Sequence, residues 1–174
     1  LLTQNVDGLH QRAGSRDVID LHGRLDAVVC LQCGTRLPRE RVQDDVERAN
    51  PGWSAAPLGI APDGDADIDE AAIAGFAPPH CGDCGGLLKP DVVFFGENVP
   101  RERVLRAREA LAAADAMLVA GSSLMVWSGF RFARFAHEAG LPLAILNRGR
   151  TRADDLAGLR LDADAGATLE SALA

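Results

Sequence analysis

The sequence predicts an α/β fold built on a parallel sheet, and two features carry this prediction. Strand-like and helix-like patterns alternate in the second half of the chain, with strand patterns at residues 116–120 and 143–147 and helical patterns at residues 100–114 and 128–139. Such alternation is typical of βαβ units with parallel strands. The run at residues 116–120 is apolar at every position, as expected for a central strand that is buried on both faces.

The composition predicts one globular domain, or one domain with a small insert. The chain has 174 residues, of which 47% are hydrophobic, and this is enough for a sizeable core. Its formal net charge of −7 argues against a nucleic-acid partner, since phosphate binding requires a basic surface. No apolar stretch approaches the roughly 18 residues of a membrane span, so no membrane partner is expected.

The first elements of the chain are short. Residues 1–3 indicate the end of a strand, residues 7–12 a short helix stopped by Gly14, and residues 18–21 a short strand that leads into His22. A single histidine after a strand is more often structural than catalytic, so His22 alone indicates no function.

Three polar residues, Gln4, Asn5 and Asp7, stand between the first strand and the first helix. Unpaired, each of these side chains would lose roughly 1–3 kcal/mol on burial, which makes them unsuited to a core strand. They fit a polar ligand at the end of a strand, where α/β proteins bind nucleotides. They also fit a helix cap formed by Asp7, which is the simpler interpretation of the three residues alone.

Four cysteines form two Cys-x-x-Cys pairs, Cys30 with Cys33 and Cys81 with Cys84. Two such pairs favour a zinc site, although disulfides stay possible for a secreted chain. Four thiolates fill a tetrahedral shell and leave no position for a substrate or water, so the predicted zinc is structural. His80 is a much weaker competing ligand. Glycines that follow the cysteines permit the tight turns of zinc knuckles.

The residues between the two cysteine pairs differ in composition from those that follow the second pair. Residues 39–49 indicate a helix, and residues 50–76 form a long excursion rich in Ala, Pro, Gly and Asp, with a turn signal at residues 61–65. Residues 89–97 return to apolar residues and predict a buried strand that Gly96 ends.

The later strands end in small or polar residues. Gly121, Ser122 and Ser123 follow the run at 116–120, where small side chains let a nucleotide approach the backbone and hydroxyls can bond its sugar or phosphates. Asn147 ends the next strand, and His137 is expected on the surface of the intervening helix. The inward helix faces are predicted to carry Val104, Ala107, Leu111 and Ala114, and then Phe132, Phe135, Ala136 and Ala139.

Taken together, the motifs resemble the sirtuins, the NAD-dependent protein deacylases. The resemblance rests on Thr-Gln-Asn-Val-Asp-Gly-Leu-His-Gln-Arg-Ala-Gly from Thr3, on Leu-His-Gly at His22, on the two cysteine pairs, on Lys-Pro-Asp-Val-Val-Phe-Phe-Gly-Glu from Lys89, on Gly-Ser-Ser-Leu from Gly121 and on the Leu-Asn strand end at Asn147. It covers nearly the whole chain in the order of the family. It implies a Rossmann-like NAD-binding domain, residues 1–23 and 90–174, with an inserted zinc-ribbon domain, residues 24–89.

The resemblance assigns roles to individual residues. His22 falls on the general base, which suits an imidazole because its pKa lies near working pH. Catalysis would also use Asn5 and Asp7. The NAD pocket would be lined by Gln4, Asn5, Asp7, Gly121, Ser122, Ser123, Asn147 and Ala165. The acyl-lysine peptide would add as a strand along Val93, Phe95, Gly96 and Glu97, with the Val93 carbonyl holding the acyl-lysine amide. Zinc would bind Cys30, Cys33, Cys81 and Cys84.

Two departures from the family pattern are visible. Ala165-Gly166 stands where many relatives have Cys-Gly beside the adenine. The opening strand of the family and its glycine-rich loop, which cradles the pyrophosphate, have no counterpart. The chain opens on Leu1, so we expect a fragment of a longer sirtuin whose sheet is incomplete, with poor folding and weak NAD binding on its own. Compartment signals would be absent with that segment; a bacterial cytoplasm is expected, and a mitochondrial matrix stays open.

The predicted activity is NAD-dependent protein-lysine deacylation. By resemblance, the acyl oxygen attacks the ribose carbon as nicotinamide leaves, and the acyl group ends on ADP-ribose. Two alternatives stay open: protein ADP-ribosyl transfer from the same pocket, and a non-catalytic zinc-binding fragment. Motifs such as Asn50-Pro51-Gly52-Trp53 and the Leu146–Leu156 stretch resemble the class of the mitochondrial lipoamidase and ADP-ribosyltransferase-type sirtuin and its bacterial relatives.

Overall fold

A computed structural model describes residues 1–54, 59–60 and 66–174. The predicted turn at residues 61–65 lies outside the described residues, as do residues 55–58. The chain forms two compact units. Unit 1 contains Leu1–Gln4 and Glu97–Ala174, and unit 2 contains Asn5–Gly96. The domain limits assigned by resemblance, at residues 23 and 90, stay a prediction.

The secondary structure follows the predicted alternation closely in the second half of the chain. The elements, in chain order, are β1 (Leu2–Thr3), α1 (Leu9–Arg12), β2 (Ile19–Asp20), β3 (Gly23–Cys30), β4 (Arg36–Pro38), α2 (Arg39–Ala49), β5 (Gly59–Ile60), β6 (Ala66–Asp67), α3 (Glu70–Ile73), β7 (Leu88–Val92), α4 (Arg101–Ala112), β8 (Met117–Ala120), α5 (Trp127–Glu138), β9 (Leu143–Leu146), a 3₁₀ turn (Asp154–Leu156), β10 (Leu159–Leu161) and α6 (Ala165–Leu173).

The sheet of unit 1 is parallel, as predicted, and has the strand order β10-β9-β8. Met117 pairs with Leu143 at one end of the β8–β9 ladder, and Ala120 pairs with Leu146 at the other. The prediction of a central position for residues 116–120 is wrong for the described strands. There β9 is central and β8 is an edge, so Leu118 is 55% exposed although its neighbour Val119 is buried.

Helix α5 supplies the layer that covers this sheet. Its small and aromatic residues pack inward, with Phe132 only 1% exposed and Ala133 and Ala136 fully buried. Small residues on that face let the helix approach the sheet closely. The core cluster consists of Val119, Leu124, Ala133, Leu143, Ile145 and Ala153.

Two predicted faces are partly wrong. Ala139 lies beyond the end of α5 and is exposed, because the chain turns away there with Gly140 at a φ of +70°. On α4 only Ala107 is buried; Val104 and Leu111 are half-buried. His137 is exposed, as predicted.

Unit 2 is organised by an antiparallel sheet with the strand order β4-β3-β7. Helix α2, whose predicted bounds are confirmed, packs its buried Val42 beside this sheet. The register of β3 with β7 shifts in the middle: Arg24 pairs with Asp91, but Val28 pairs with the next residue, Pro90. Residues 25–27 therefore bulge out of the ladder, and Arg24 forms an ion pair with Asp26 inside the bulge.

The strand predicted at residues 89–97 differs from β7 in extent and burial. It ends at Val92, and its residues are half-buried rather than buried. Beyond it, Phe94 is half-exposed and Phe95 is 83% exposed. The apolar run is therefore not explained by the core. Part of that surface is used locally, since the Lys89 ammonium lies 4.7 Å from the centre of the Phe94 ring.

The turn after β9 is fixed by the contacts of one half-buried carboxylate, that of Asp154. Asp154 accepts hydrogen bonds from the hydroxyl and the backbone amide of Thr151, at 2.5 Å and 3.1 Å. The Arg160 guanidinium lies 3.3 Å from the other carboxylate oxygen. The Thr151 hydroxyl, with the Thr151 amide and Arg160, holds the pKa of Asp154 below its ordinary value. Among the described residues, no helix is long and apolar enough to cross a membrane.

Replacing Ile145 with Ala should lower the free energy of unfolding by about 2–5 kcal/mol, because it opens a cavity in the buried centre of the sheet. Ile145 is 1% exposed on the central strand. Leu118→Ala on the edge strand is the matched control and should cost less than about 1 kcal/mol. Urea denaturation followed by circular dichroism measures both. Equal losses would mean that β9 is not the centre of the core.

Replacing Asp154 with Asn should destabilise the protein at neutral pH and leave it unaffected in acid. Because the folded pKa of Asp154 is depressed, its contribution is present above its unfolded pKa of about 3.9. That contribution disappears as the pH falls through the folded pKa. Urea denaturation at pH 7 and at stepwise lower pH should show the parent and variant converging. The exposed neighbour Asp155→Asn serves as control; a pH-independent gap would refute the assignment.

Candidate functional site

The four cysteines form one cluster in unit 2, and its spacing fits a metal rather than disulfides. The Sγ atoms of Cys30 and Cys84 are 3.5 Å apart, those of Cys33 and Cys81 are 3.7 Å apart, and all four lie within 4.8 Å of one another. A tetrahedral shell with Zn–S distances of about 2.3 Å places sulfur atoms roughly 3.8 Å apart, whereas a disulfide needs about 2.0 Å. The residues present therefore fit a structural zinc.

Backbone turns and one small residue shape this cluster. Gly34 and Gly85 have φ values of +75° and +74°, the left-handed conformation that the knuckle turns require. Gly86 is buried, and a Cβ there would lie 2.7 Å from the Gln32 Cβ and 2.9 Å from the Cys30 Sγ. Only glycine fits at this position beside the ligands.

Thr35 and His80 lie beside the cluster and form hydrogen bonds there. Hydrogen bonding with the Thr35 hydroxyl and amide lowers the pKa of Cys33 to about 6. At Cys84 the Gly86 amide acts to lower the pKa, but contact with the Cys33 and Cys30 thiols outweighs it and raises the pKa of Cys84 to about 12. The Thr35 hydroxyl also lies 3.2 Å from an Asp83 carboxylate oxygen. His80 does not join the four sulfurs, because its Nδ1 lies 3.0 Å from the Gly85 carbonyl oxygen.

The N-terminal motif of unit 2 is held beside His22 by the bulge in β3. The amide of Leu25, displaced from the ladder, donates to the Val6 carbonyl at 2.9 Å. Val6 lies between Asn5 and Asp7, so this bond brings both predicted catalytic residues next to the Gly23–Cys30 strand that follows His22. Bulges are frequent beside active sites, where they redirect side chains.

Asp7 is not the N-cap of α1 that the sequence suggested, because Gly8 occupies that position and no side chain caps the helix, but Asp7 does contact the first helical residue. Its Oδ1 accepts from the Leu9 amide at 2.9 Å at the start of α1, and Arg12 donates to its carbonyl at 2.8 Å. Gly8 between them has a φ of +68° and packs against the Arg24 guanidinium, which lies 3.4 Å from where a Cβ would stand. Both Asn5 and Asp7 are exposed.

His22 is joined by its backbone to the predicted peptide-binding segment. Its carbonyl accepts a hydrogen bond from the Val93 amide at 2.9 Å, directly after the Gly23–Val92 pair of the ladder. Leu21 on its other side is fully buried and anchors the segment. Beyond Val93, the Phe95, Gly96 and Glu97 positions are exposed, and Gly96 has a φ of +88°. Asn5, Asp7, His22 and Val93 therefore come together within unit 2.

A second group of predicted residues comes together in unit 1. The Gln4 amide donates to the Ser122 hydroxyl at 3.0 Å, and that hydroxyl also accepts from the Leu124 amide at 3.2 Å. Gly129 on α5 leaves room for this contact, since a Cβ there would lie 2.5 Å from the Gln4 Oε1. Sequence reasoning missed Gly129; the available signal was a glycine inside a helical pattern.

The strand ends of unit 1 adjoin one another. The Gly121 amide donates to the Leu146 carbonyl at 2.9 Å, and the Asn147 amide donates to the Leu161 carbonyl at 3.1 Å. Gly121 has a φ of +64°, and a Cβ there would lie 3.9 Å from the Ala165 Cβ. Small residues, hydroxyls and an amide thus share the carboxyl edge of a parallel sheet, where α/β folds bind nucleotides. The assignment of these residues to the adenosine half of NAD stays a prediction.

Leu124 is a further special residue that the sequence did not indicate. It has a φ of +54°, the one left-handed non-glycine residue among the described positions, and its side chain is buried in the core cluster. A leucine is strained in this conformation and persists there only when its surroundings hold it.

Comparison with known proteins agrees with this geometry. The Sir2 family matches residues 1–128. An NAD-dependent protein deacetylase of Xanthomonas campestris pv. campestris (strain 8004) is 64% identical over 93% of this chain and 55% of its own length. A second, NAD-dependent protein deacetylase 1 of Streptomyces coelicolor, is 53% identical over 97% of this chain and 56% of its own length.

Solved structures show the same fold. A structure of Sir2 bound to an acetylated peptide has a TM-score of 0.75 and 31% sequence identity, and it covers 99% of this chain and 61% of that chain. A complex of Sir2 with a p53 peptide and NAD⁺ has a TM-score of 0.71 and 31% identity, with 99% and 63% coverage. The chain spans about half the length of the curated relatives it matches. On the match of 128 of its 174 residues and on these identities, the chain belongs to the Sir2 family.

Proposed function

We propose that the protein carrying this chain is an NAD-dependent protein-lysine deacylase. The observation that carries the proposal is the contact between His22 and Val93, which joins a candidate general base to an exposed peptide-binding edge. Relatives at 64% and 53% identity carry the deacetylase name, so ADP-ribosyl transfer and a purely zinc-binding role are not favoured. The narrower placement beside lipoamidase-type sirtuins stays a prediction. The bacterial relatives support a bacterial cytoplasm as the working compartment.

NAD, when bound, supplies nicotinamide as the leaving group and ADP-ribose as the acceptor of the acyl group. Four groups of residues bind NAD, leave room for it, orient it or hold a binding group in place. Ser122, Ser123 and Asn147 bind the adenosine half from the carboxyl edge of the sheet, with Gly121 and Ala165 leaving room for the base. Gln4 holds the Ser122 hydroxyl in place. Asn5 and Asp7 orient the nicotinamide and ribose half.

His22 accepts the proton of a ribose hydroxyl. An imidazole is the side chain best suited to accept a proton near neutral pH. Its main chain is fixed on both sides, by buried Leu21 and by the bond from Val93. A base held in this way loses little freedom when substrate binds, which favours catalysis.

The substrate is an acyl-lysine peptide that adds as a strand along Val93–Glu97. The exposure of Phe95 and Gly96 supports this segment as the place where a peptide backbone would pair. The Val93 carbonyl would hold the acyl-lysine amide, and Phe95, Gly96 and Glu97 would pair with the peptide backbone. Sir2 structures with acetylated and propionylated peptides support short acyl chains as the first substrates to test.

His22→Ala should lower kcat by about 10²–10⁴-fold, because general-base catalysis contributes on that order. NAD affinity should be unchanged, since the side chain acts on a proton and not on binding. Nicotinamide release with an acetylated peptide gives kcat, and calorimetry gives the Kd for NAD. The exposed His137→Ala is the control and should behave as the parent. A His22→Ala protein with the parental rate would refute the assignment.

Gly86→Ala should lose zinc, because its Cβ would lie 2.9 Å from the Cys30 Sγ and 2.7 Å from the Gln32 side chain. Gly82→Ala, in the same knuckle but with nothing within 4 Å of the added Cβ, should retain it. Metal analysis after dialysis against a weak chelator reports zinc per chain. Full zinc content in Gly86→Ala would show that the cluster tolerates a shift that this packing forbids.

A further inference from the structure

Two loops of unit 1 carry the residues proposed to bind adenosine. The 121–126 loop follows β8 and holds Ser122 and Ser123. The 147–154 loop follows β9 and begins at Asn147. Because these residues belong to different loops, their use as one site requires the two loops to keep a fixed spacing.

Arg152 joins the two loops through hydrogen bonds. Its backbone amide donates to the Ser123 carbonyl at 2.9 Å, and its Nη1 donates to the Met125 carbonyl at 3.0 Å. These two carbonyls stand on either side of Leu124, the strained left-handed residue. Arg152 therefore bonds to the main chain on both sides of Leu124, the residue whose backbone is strained.

The same guanidinium is held by aromatic rings. Its central carbon lies 4.5 Å from the centre of the Phe130 ring and 5.5 Å from that of Trp127, both in the first turn of α5. Arg134 approaches Trp127 as well, at 5.2 Å. A planar guanidinium that stacks and donates at once is a role that lysine cannot reproduce.

Both ends of the 147–154 loop are held by contacts that do not involve Arg152. Asp154 binds Thr151 and Arg160, and the Asn147 amide is bonded to Leu161. The 147–154 loop is thus held at both ends. The hydrogen bonds from Arg152 then keep the 121–126 loop at a fixed distance from it.

We propose that Arg152 is a positioning residue for NAD: it sets the spacing between the serine-bearing 121–126 loop and the Asn147-bearing loop, and so preorganises the adenosine subsite. This inference rests on the proposed function for its kinetic consequence. In this role Arg152 supports the subsite and takes no part in the chemistry. It acts on ground-state affinity for the dinucleotide through the two loops, so the chemical step is unaffected.

The test compares Arg152→Ala, Arg152→Lys and Arg150→Ala in the protein that carries this chain. Arg150 is an exposed arginine of the same loop and controls for the loss of one positive charge. Arg152→Ala should raise the KM and the Kd for NAD about tenfold, the effect of losing a charged hydrogen bond and its stacking, with kcat changed less than about twofold. Arg152→Lys should recover only part of this loss, and Arg150→Ala should match the parent.

Hydrogen–deuterium exchange tests the same contact without NAD. Arg152→Ala should speed amide exchange in residues 121–126 and leave β9 unchanged, whereas Arg150→Ala should change neither. If Arg152→Ala shows this exchange pattern relative to the parent, but the parent does not turn over NAD, the proposed function fails and the positioning contact stands. Parental KM and parental exchange in Arg152→Ala overturn the inference. If Arg152→Ala does not fold, Arg152→Lys decides it by the same two measurements.

Discussion

The antiparallel ladder between β3 and β7 is the constraint on which unit 2 depends. Its two ends have different chemistry. At one end Cys30 pairs with Leu88, beside the four thiols; at the other Gly23 pairs with Val92, beside His22 and Val93. The strand that ends in a metal ligand thus begins beside the candidate base. A strand of eight residues spans roughly 25 Å. The strand pairing at the cysteine cluster therefore also determines the position of His22 at the other end of the ladder.

The same ladder explains how a structural zinc bound by the four thiols would stabilise a candidate site at the other end of the strand. A one-residue slip in strand pairing would turn every side chain of β3 to the opposite face. Metal binding by the four thiols would fix the strand pairing at one end. The bulge at residues 25–27 accommodates the extra residues of β3 between that end and His22. The bulge then gives its Leu25 amide to Val6, which places Asn5 and Asp7. In this arrangement the irregular part of the strand is the part that holds the site.

The sequence predicts the regular parts of this protein well and the irregular parts poorly. Helix α2 was predicted to the residue, the parallel β8–β9 pair was expected from its apolar runs, and the zinc cluster followed from cysteine spacing. The left-handed backbone of Leu124 was not foreseeable, because leucine does not favour it. The end of β7 at Val92 was also missed: an apolar run indicates a strand, but the exposed Phe94 and Phe95 are apolar without being core residues. The site was recognised from its exact motifs, since polar residues at strand ends alone permitted a helix cap.

The two cysteine pairs are separated by about fifty positions, with Cys33 and Cys81 differing by 48 in the chain. Bringing such distant segments together costs roughly 3 kcal/mol of loop-closure entropy before any strand contact forms. Pairing of β3 with β7 is therefore a late, non-local event in folding unless the knuckles meet first. A zinc ion captured by one knuckle, then by both, would close that loop early and turn the ladder into a local zippering step. The availability of metal during synthesis would then govern how fast this protein matures, as well as how stable it is once folded.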